Sequence, residues 1–268
     1  MIRFFDGGMG SMLNLAAGEL PEKLNISEPE RVFAVHKGYA DAGAQFITAN
    51  TFGANSLKYD NVDELVKAGV ALAKKAGKYV ALDIGPTGKL LKPMGDLEFE
   101  RAVELFAEVV RAGKDGSDVA IIETMSDMYE LKAAVIAVKE NSDLPIITSM
   151  IFDESGRLLT GGDVKSAVAM LEGLRVDAIG FNCGLGPKQM IPLVKELREC
   201  TSLPILVMPN AGLPESVDGK TVYNVSPDEF AQDMREIAKL GVSILGGCCG
   251  TTPEHIRRLR KRCEHLTP

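Results

Sequence analysis

Eight short apolar runs, each followed by a stretch of helical periodicity, set the architecture this chain can adopt. They are IRFF (2–5), AQFITAN (44–50), YVALDI (79–84), VAIIE (119–123), PIITSMIF (145–152), DAIGFN (177–182), PILVMP (204–209) and VSILGG (242–247). The runs are nearly continuous in apolar residues, as parallel strands are when both faces are covered. Helices are read between them at about 62–76, 97–114, 127–140, 162–173 and 188–199. Other helix ends carry explicit signals. Ser27 with Glu30 reads as a capping box, Pro29 falls in the first turn, and Gly43 stops ERVFAVHKGYADA. Ser226-Pro227-Asp228-Glu229 repeats the start signal, and Thr252-Pro253-Glu254-His255 opens a last helix in the same way.

Eight strand–helix units predict an α/β fold, a single (β/α)8 TIM barrel over residues 1–268. An open doubly wound sheet is the competing architecture, and it would gather its ligand at one switch point behind a glycine-rich phosphate loop. Here polar residues end nearly every run: Asp6, Asn50, Asp83, Glu123, Asn182, Asn210 and Cys248. Chemistry distributed around one rim favours the barrel.

Composition narrows the class of partner. Hydrophobic residues make up 46% of the chain, enough for a large core, and the net charge is −7 with Lys and Arg scattered. Neither nucleic acid nor an anionic membrane is expected to bind such a surface. No apolar run approaches ~18 residues, and MIRFFDGGMG lacks the pattern of a secretory signal. Five cysteines, an odd number, point to reduced thiols, and a soluble cytoplasmic protein is expected.

Three of those cysteines stand where a metal would take them. Cys183 lies in FNCG, and Cys248 and Cys249 are adjacent in LGGCCGTTPEH, each group directly after a strand. Thiolate is the soft ligand zinc favours, and three protein ligands leave a fourth tetrahedral position open. On a barrel the sixth and eighth strand ends are two strands apart, so one ion can bridge them. The other reading is that the thiols are small buried hydrophobes. That suits Cys200 and Cys263 in their helices better than a vicinal pair among Gly246, Gly247 and Gly250. His255 and His265 read as a solvated helix face, and His36 as a mid-helix residue without a partner. None is needed as a ligand.

Two glycine-rich segments and three carboxylates complete the candidate site. DGGMGS (6–11) offers backbone N–H groups to an anion such as a carboxylate, although GxGxxG spacing and a following capped helix are missing. DIGPTGK (83–89) resembles a phosphate loop without the Walker spacing; both segments can equally be tight barrel turns. Glu123, Asp6 and Asp83 are candidates to hold an amino group, since a buried carboxylate needs a partner. For Asp83 a structural carboxylate bonded to loop N–H groups is the alternative. Together the elements outline a receptor for a zwitterion that carries a soft donor atom.

DGGMGS, ITANTFGAN (47–55), DIGPTG (83–88), ETMSD (123–127), GFNCGLGP (180–187), MPNAG (208–212) and GGCCGTTPEHI (246–256) resemble, in order, the homocysteine S-methyltransferase family. Within it they are similar to the N-terminal homocysteine-binding barrel of cobalamin-dependent methionine synthase. The resemblance implies a methyltransferase that forms methionine, with homocysteine activated as a thiolate on Zn2+ held by Cys183, Cys248 and Cys249. It implies that Asp6 and Glu123 hold the substrate amino group and that the backbone of Gly8, Gly10 and Ser11 receives its carboxylate. Asn210 matches a position that fills the fourth zinc site when substrate is absent. A free thiol titrates near ~8.5, so removal of its proton by the metal is what makes it nucleophilic at neutral pH.

The methyl donor is read from what the chain carries. Betaine-using relatives have an aromatic residue where TFGAN has Gly53, and there is no tryptophan to cage a quaternary ammonium. A D-x-H-x-x-G corrinoid motif is absent from the sequence. The expected donor is therefore a methyl-corrinoid (methylcobalamin) on a separate protein or donor module in trans. S-methylmethionine or another small donor is the second expectation, and a non-catalytic zinc-dependent module that binds thiol amino acids is the third.

Overall fold

The computed structural model describes residues 1–15, 18–217 and 220–268. All eight expected strands form: β1 (Arg3–Phe4), β2 (Phe46–Thr48), β3 (Tyr79–Ile84), β4 (Val119–Met125), β5 (Ile146–Met150), β6 (Ala178–Asn182), β7 (Ile205–Met208) and, after a two-stranded hairpin β8 (Glu215–Val217) and β9 (Lys220–Val222), β10 (Ile244–Leu245). Every barrel pairing is parallel, in the order β1-β10-β7-β6-β5-β4-β3-β2. Outside lie the helices α1 (Met9–Leu13), α2 (Leu24–Ser27), α3 (Pro29–Ala42), α4 (Val62–Lys75), α5 (Phe99–Gly113), α6 (Met128–Asn141), α7 (Val164–Gly173), α8 (Pro187–Cys200), α9 (Pro227–Ala238) and α10 (Pro253–Cys263). The chain is a single (β/α)8 TIM barrel, nearly closed. No helix among the described residues is long and apolar enough to cross a membrane.

The closing seam is made differently from the other joins. β1 and β2 are the two ends of the hydrogen-bonded strand order. One backbone hydrogen bond and three that involve side chains bring them together. The Gln45 N–H donates to the Phe4 carbonyl at 2.7 Å, while its side-chain oxygen accepts the Phe4 N–H at 3.0 Å. Above this, the Thr48 N–H and hydroxyl donate to the two carboxylate oxygens of Asp6, at 2.8 and 2.7 Å.

Strand alternation explains what fills the interior and what crowns it. Successive side chains point to opposite faces of a strand. Ala81, Val119, Ile121, Ala178, Leu206 and Ile244 accordingly pack inside the barrel with Phe5, whose ring stacks on Phe46 at 4.8 Å. Leu82, Ile84, Ala120 and Ile122 face outward into the larger core under the helices. The next inward positions are Asp83 after Ala81, Glu123 after Ile121 and Asn182 after Gly180. The period that builds the apolar plug thus sets three polar groups on top of it. Gly180 is required there, because a Cβ would stand 2.0 Å from the Leu206 carbonyl oxygen on β7.

Several local readings are corrected. The Ser27–Glu30 capping box does not form: Ser27 ends α2, its hydroxyl bonds back to the Lys23 carbonyl at 3.2 Å, and Glu28 precedes α3 without a side-chain cap. The chain passes from one helix straight into the next, so Ser27 is not free to cap. The Ser226–Glu229 capping box is present. DGGMGS runs into the five-residue α1, which starts within it at Met9 and, as expected, has no side-chain cap. His255 is buried rather than solvated: one ring nitrogen lies 3.0 Å from the Val225 carbonyl and the other accepts the Thr252 N–H. His36 is buried in α3 with neither ring nitrogen hydrogen-bonded, and burial lowers its pKa to about 4.

The seam makes a prediction separable from the site. Gln45→Ala leaves the buried Phe4 N–H without its acceptor, and is expected to lower unfolding stability by about 1–2 kcal/mol. Urea titration measures this; an unchanged midpoint would show that the β1–β2 join does not depend on that side chain.

Candidate metal centre and substrate pocket

Cys183 follows β6 and Cys248–Cys249 follow β10, with β7 between the two in the sheet. The chain turns sharply at both places. Cys183 adopts φ +59°, a conformation that costs a non-glycine residue energy and is retained where surrounding structure fixes it. Its N–H bonds to the Met208 carbonyl at the end of β7, and the Cys248 N–H bonds to Pro209. β7 is therefore the spacer that brings the flanking turns together.

The three sulfur atoms lie within 4.8 Å of one another, and those of Cys183 and Cys249 are 3.9 Å apart. A tetrahedral zinc ion with Zn–S bonds of ~2.3 Å requires sulfurs about 3.8 Å apart. The spacing fits. So does the chemistry of the donor set, because the sulfurs compete for protons. Hydrogen bonds from Cys183 and then Cys248 draw the Cys249 thiol down. Cys248 is raised by its bonds to Cys183 and Cys249 and by burial. Cys183 is lowered by Cys248, but its Cys249 contact and burial outweigh this and leave it raised. The trio favours one thiolate with two protonated neighbours until a cation offsets the rest. Cys200 and Cys263 lie outside the cluster.

Opposite the sulfurs a cavity of about 260 Å³ opens at the barrel mouth. Asp6, Gly8, Gly10, Ser11 and Glu123 all line it with the three cysteines, as does Asp83. Asn210 does not: it is buried, its N–H bonds to Leu185, and its side-chain oxygen has no partner. Burial pushes Asp6 up to about 7 against the pull of Thr48. Burial, then the charges of Asp6 and Cys249, push Glu123 up to about 8. Asp83 is raised well above the usual carboxylate range by burial, then by Glu123 and Asp6. A cation in this pocket would relieve all three.

Asn182 joins the two halves of the site. Fully buried, it accepts the Thr124 N–H at 2.8 Å and the Ser149 hydroxyl at 2.7 Å. Its amide nitrogen donates to the Thr124 hydroxyl at 2.7 Å, and lies 3.4 Å from a Glu123 oxygen and 3.9 Å from the Cys248 sulfur. Thr124 sits at φ +60° directly after Glu123, where β4 shifts register against β5 in a bulge. Asn182 had been visible only as one polar strand end among several.

The glycine-rich loop is stitched to the cysteine turn. The Gly8 N–H donates to the Thr251 hydroxyl at 3.1 Å, and the Gly250 N–H to the Ser11 hydroxyl at 3.2 Å. The Tyr39 hydroxyl donates to the Thr251 carbonyl at 2.8 Å. A Cβ on Gly8 would meet the Cys248 carbonyl oxygen at 2.7 Å, so this approach requires glycine. Tyr223, after the β8–β9 hairpin, lies close enough to the Cys249 thiol to help lower it; no sequence pattern points to it. In DIGPTGK the Thr87 N–H and hydroxyl both donate to one oxygen of buried Glu130, at 2.8 and 2.6 Å, so a carboxylate already occupies that loop.

Comparisons with known proteins agree with this geometry. The family model described as homocysteine S-methyltransferase matches residues 3–263. Methionine synthase of Mycobacterium leprae is 32% identical over 285 aligned residues that include 95% of this chain, and the chain spans 24% of that protein's length. The homocysteine methyltransferase MmuM of Escherichia coli has the same fold. Its metallated form superposes with a TM-score of 0.83 at 24% identity, covering 97% of this chain and 96% of that one. Its apo form gives 0.76 at 26% identity, covering 97% and 95%.

The raised carboxylates have a thermodynamic signature. Glu123, raised from 4.5 to about 8, keeps in the native protein a proton that the unfolded chain has released across that interval. Stability therefore falls with rising pH wherever this group dominates. Cys249, lowered, acts in the opposite sense but is common to wild type and a Glu123 variant. In metal-free protein, the stability of Glu123→Gln relative to wild type is expected to grow from about pH 5 to about pH 8. Thermal unfolding across that range measures it; a constant difference would mean that the native carboxyl titrates normally.

Proposed function

The chain belongs to the homocysteine S-methyltransferase family, and on that premise we propose that it is a zinc-dependent barrel that activates homocysteine for methylation to methionine. The observation that carries this reading is the convergence of three sulfurs within 4.8 Å beside a cavity walled by carboxylates. The Cys183, Cys248 and Cys249 sulfurs would hold the ion. Bound there, zinc would take the place of an incoming thiol's proton and keep its sulfur nucleophilic at neutral pH.

The remaining work falls to the chain itself. Asp6 and Glu123 bind the substrate ammonium; what supports this is that both carboxyls are buried in the cavity and raised, first by burial, so that a cation beside them would stabilise their charged forms. The backbone of Gly8, Gly10 and Ser11 receives the carboxylate. Asn182 keeps Glu123 in fixed relation to Cys248, so a thiol amino acid anchored at its amino end has its sulfur directed to the cluster. Such anchoring places the sulfur in line with the methyl carbon, and the donor departs from the opposite side as the carbon–sulfur bond forms. Asn210 is assigned the fourth zinc position when no substrate is present, and what supports this is a buried side-chain oxygen left without a partner.

For the donor we favour a methyl-corrinoid on a protein or domain outside this barrel. The support is that the matched methionine synthase is about four times as long as the segment it shares with this chain. Whole-length likeness to the homocysteine methyltransferase of Escherichia coli favours, as the second reading, a small donor such as S-methylmethionine. Gly53 tells against a donor held by an aromatic side chain there. Its N–H donates to Glu22 at 2.6 Å, and a Cβ would stand 2.8 Å from the same carboxylate oxygen.

Cys249→Ala is expected to lose most of its zinc and to form methionine at least about a hundredfold more slowly, beyond the cost of losing an outer partner. Metal analysis with methyl transfer from methylcobalamin and from S-methylmethionine tests both parts. Full zinc occupancy in the variant would remove Cys249 from the ligand set. Turnover of S-methylmethionine alone would establish the second reading of the donor.

A further inference from the structure

One carboxylate in the cavity is left unused by the scheme above. Asp83, the last inward residue of β3, is 5% exposed and lines the cavity with Asp6 and Glu123. No described residue hydrogen-bonds or ion-pairs with its carboxyl group, and its Oδ1 is sealed from solvent without a partner. The loop N–H groups that a purely structural carboxylate would draw on are turned elsewhere.

The other buried carboxylates at this rim differ. Both oxygens of Asp6 accept from Thr48. Glu22 accepts the Gly53 N–H and the Tyr59 hydroxyl, each at 2.6 Å. Glu130 accepts twice from Thr87, and Asp127 caps α6 by accepting the Glu130 N–H. A buried acceptor left unmade is costly, and a carboxylate more so than a neutral group. Asp83 is thus the acidic group whose hydrogen-bonding capacity is reserved for something absent from the free chain.

The form of the missing partner follows from its surroundings. Carboxylates from three strand ends, Asp6, Asp83 and Glu123, meet in a space of about 260 Å³. A primary ammonium has three N–H donors and no acceptor. One donor can be given to each carboxylate, and the positive charge offsets the burial and the repulsion from Glu123 and Asp6 that together raise Asp83. A neutral or anionic thiol offers neither.

We propose that Asp83 is a third anchor for the ammonium group of the thiol substrate and makes the site discriminate against thiols that lack one. This assignment rests on homocysteine, or a like amino thiol, being the acceptor. Asp83 acts in binding rather than in methyl transfer, so its loss raises KM and leaves kcat nearly unchanged.

The test is calorimetric titration of the zinc-loaded full chain with L-homocysteine and with 4-mercaptobutyrate, which keeps the thiol and the carboxylate but has no amino group. Wild type is expected to prefer homocysteine. Asp83→Asn, similar in shape, is expected to weaken homocysteine binding about ten- to a hundredfold, the range for a hydrogen bond to a charged group. Affinity for 4-mercaptobutyrate should stay within about twofold. Asp83→Ser serves as a second variant with the same expectation should the first not fold. Equal weakening of both thiols would indicate a structural role, and unchanged homocysteine affinity would indicate none; either overturns the assignment while homocysteine remains the acceptor. Wild type that binds neither thiol would overturn the acceptor reading and this one with it.

Discussion

Six groups that become anions on losing a proton share one cavity in this barrel: the thiols of Cys183, Cys248 and Cys249 and the carboxyls of Asp6, Asp83 and Glu123. Two like charges about 4 Å apart repel by about 4 kcal/mol even at an effective dielectric of ~20. They cannot all ionise side by side without a counter-charge. Burial and this repulsion raise the pKa of all of them but Cys249, and positive charge of two kinds would let them ionise. The sulfurs, on the side of β6 and β10, suit a soft divalent ion. The carboxylates, at the ends of β1, β3 and β4, suit an ammonium group. On the proposed reading a zwitterionic thiol would bind with its sulfur toward the cysteines and its amino group toward the carboxylates.

The scaffold holds this arrangement by spending strain locally. Thr124 and Cys183 occupy left-handed backbone conformations on either side of Asn182, one in sequence and one across the sheet. The first is a bulge within β4 and the second is the turn that ends β6. Asn182 fixes the first by bonding both the backbone and the hydroxyl of Thr124, and β7 fixes the second through Met208. Such conformations persist where neighbouring structure over-determines them. The same hydrogen bonds that hold the strain set the relation between Glu123 and Cys248, so the rigidity of the link is a by-product of what keeps the turns in place.

How much of this the sequence disclosed depended on how local the cause was. Strand periodicity is local, and all eight barrel strands were legible from it; so was the cysteine cluster, because adjacent strands of a barrel have predictable neighbours. The β8–β9 hairpin was not, since its three-residue strands lie outside the barrel and carry no apolar run. Ser27 was misread because capping depends on what precedes the helix, and another helix does. The burial of His255 rests on a carbonyl 30 residues away in the chain, at Val225. Asn182 and Asp83 were hidden for a deeper reason. Their roles are defined by which hydrogen bonds are made and which are left over, and that is known only after every neighbour has been placed.

Asp6 shows why fold and recognition are hard to separate here. The strands that close the barrel make no ladder with each other, so the join rests on Gln45 below and on the Asp6–Thr48 pair above. A carboxylate that accepts two hydrogen bonds holds its charge less tightly for a ligand than one that accepts none. Asp6 is therefore divided between holding the seam and attracting a cation, and Glu123 is steered by Asn182. Asp83 alone has no structural duty. The three carboxylates form a graded set rather than an equivalent one, running from the residue that the fold needs most to the one that only a ligand needs. A substitution at Asp6 disturbs the barrel and the pocket together, whereas at Asp83 the cost of burying an unpaired acid is removed from the free protein and only recognition is lost.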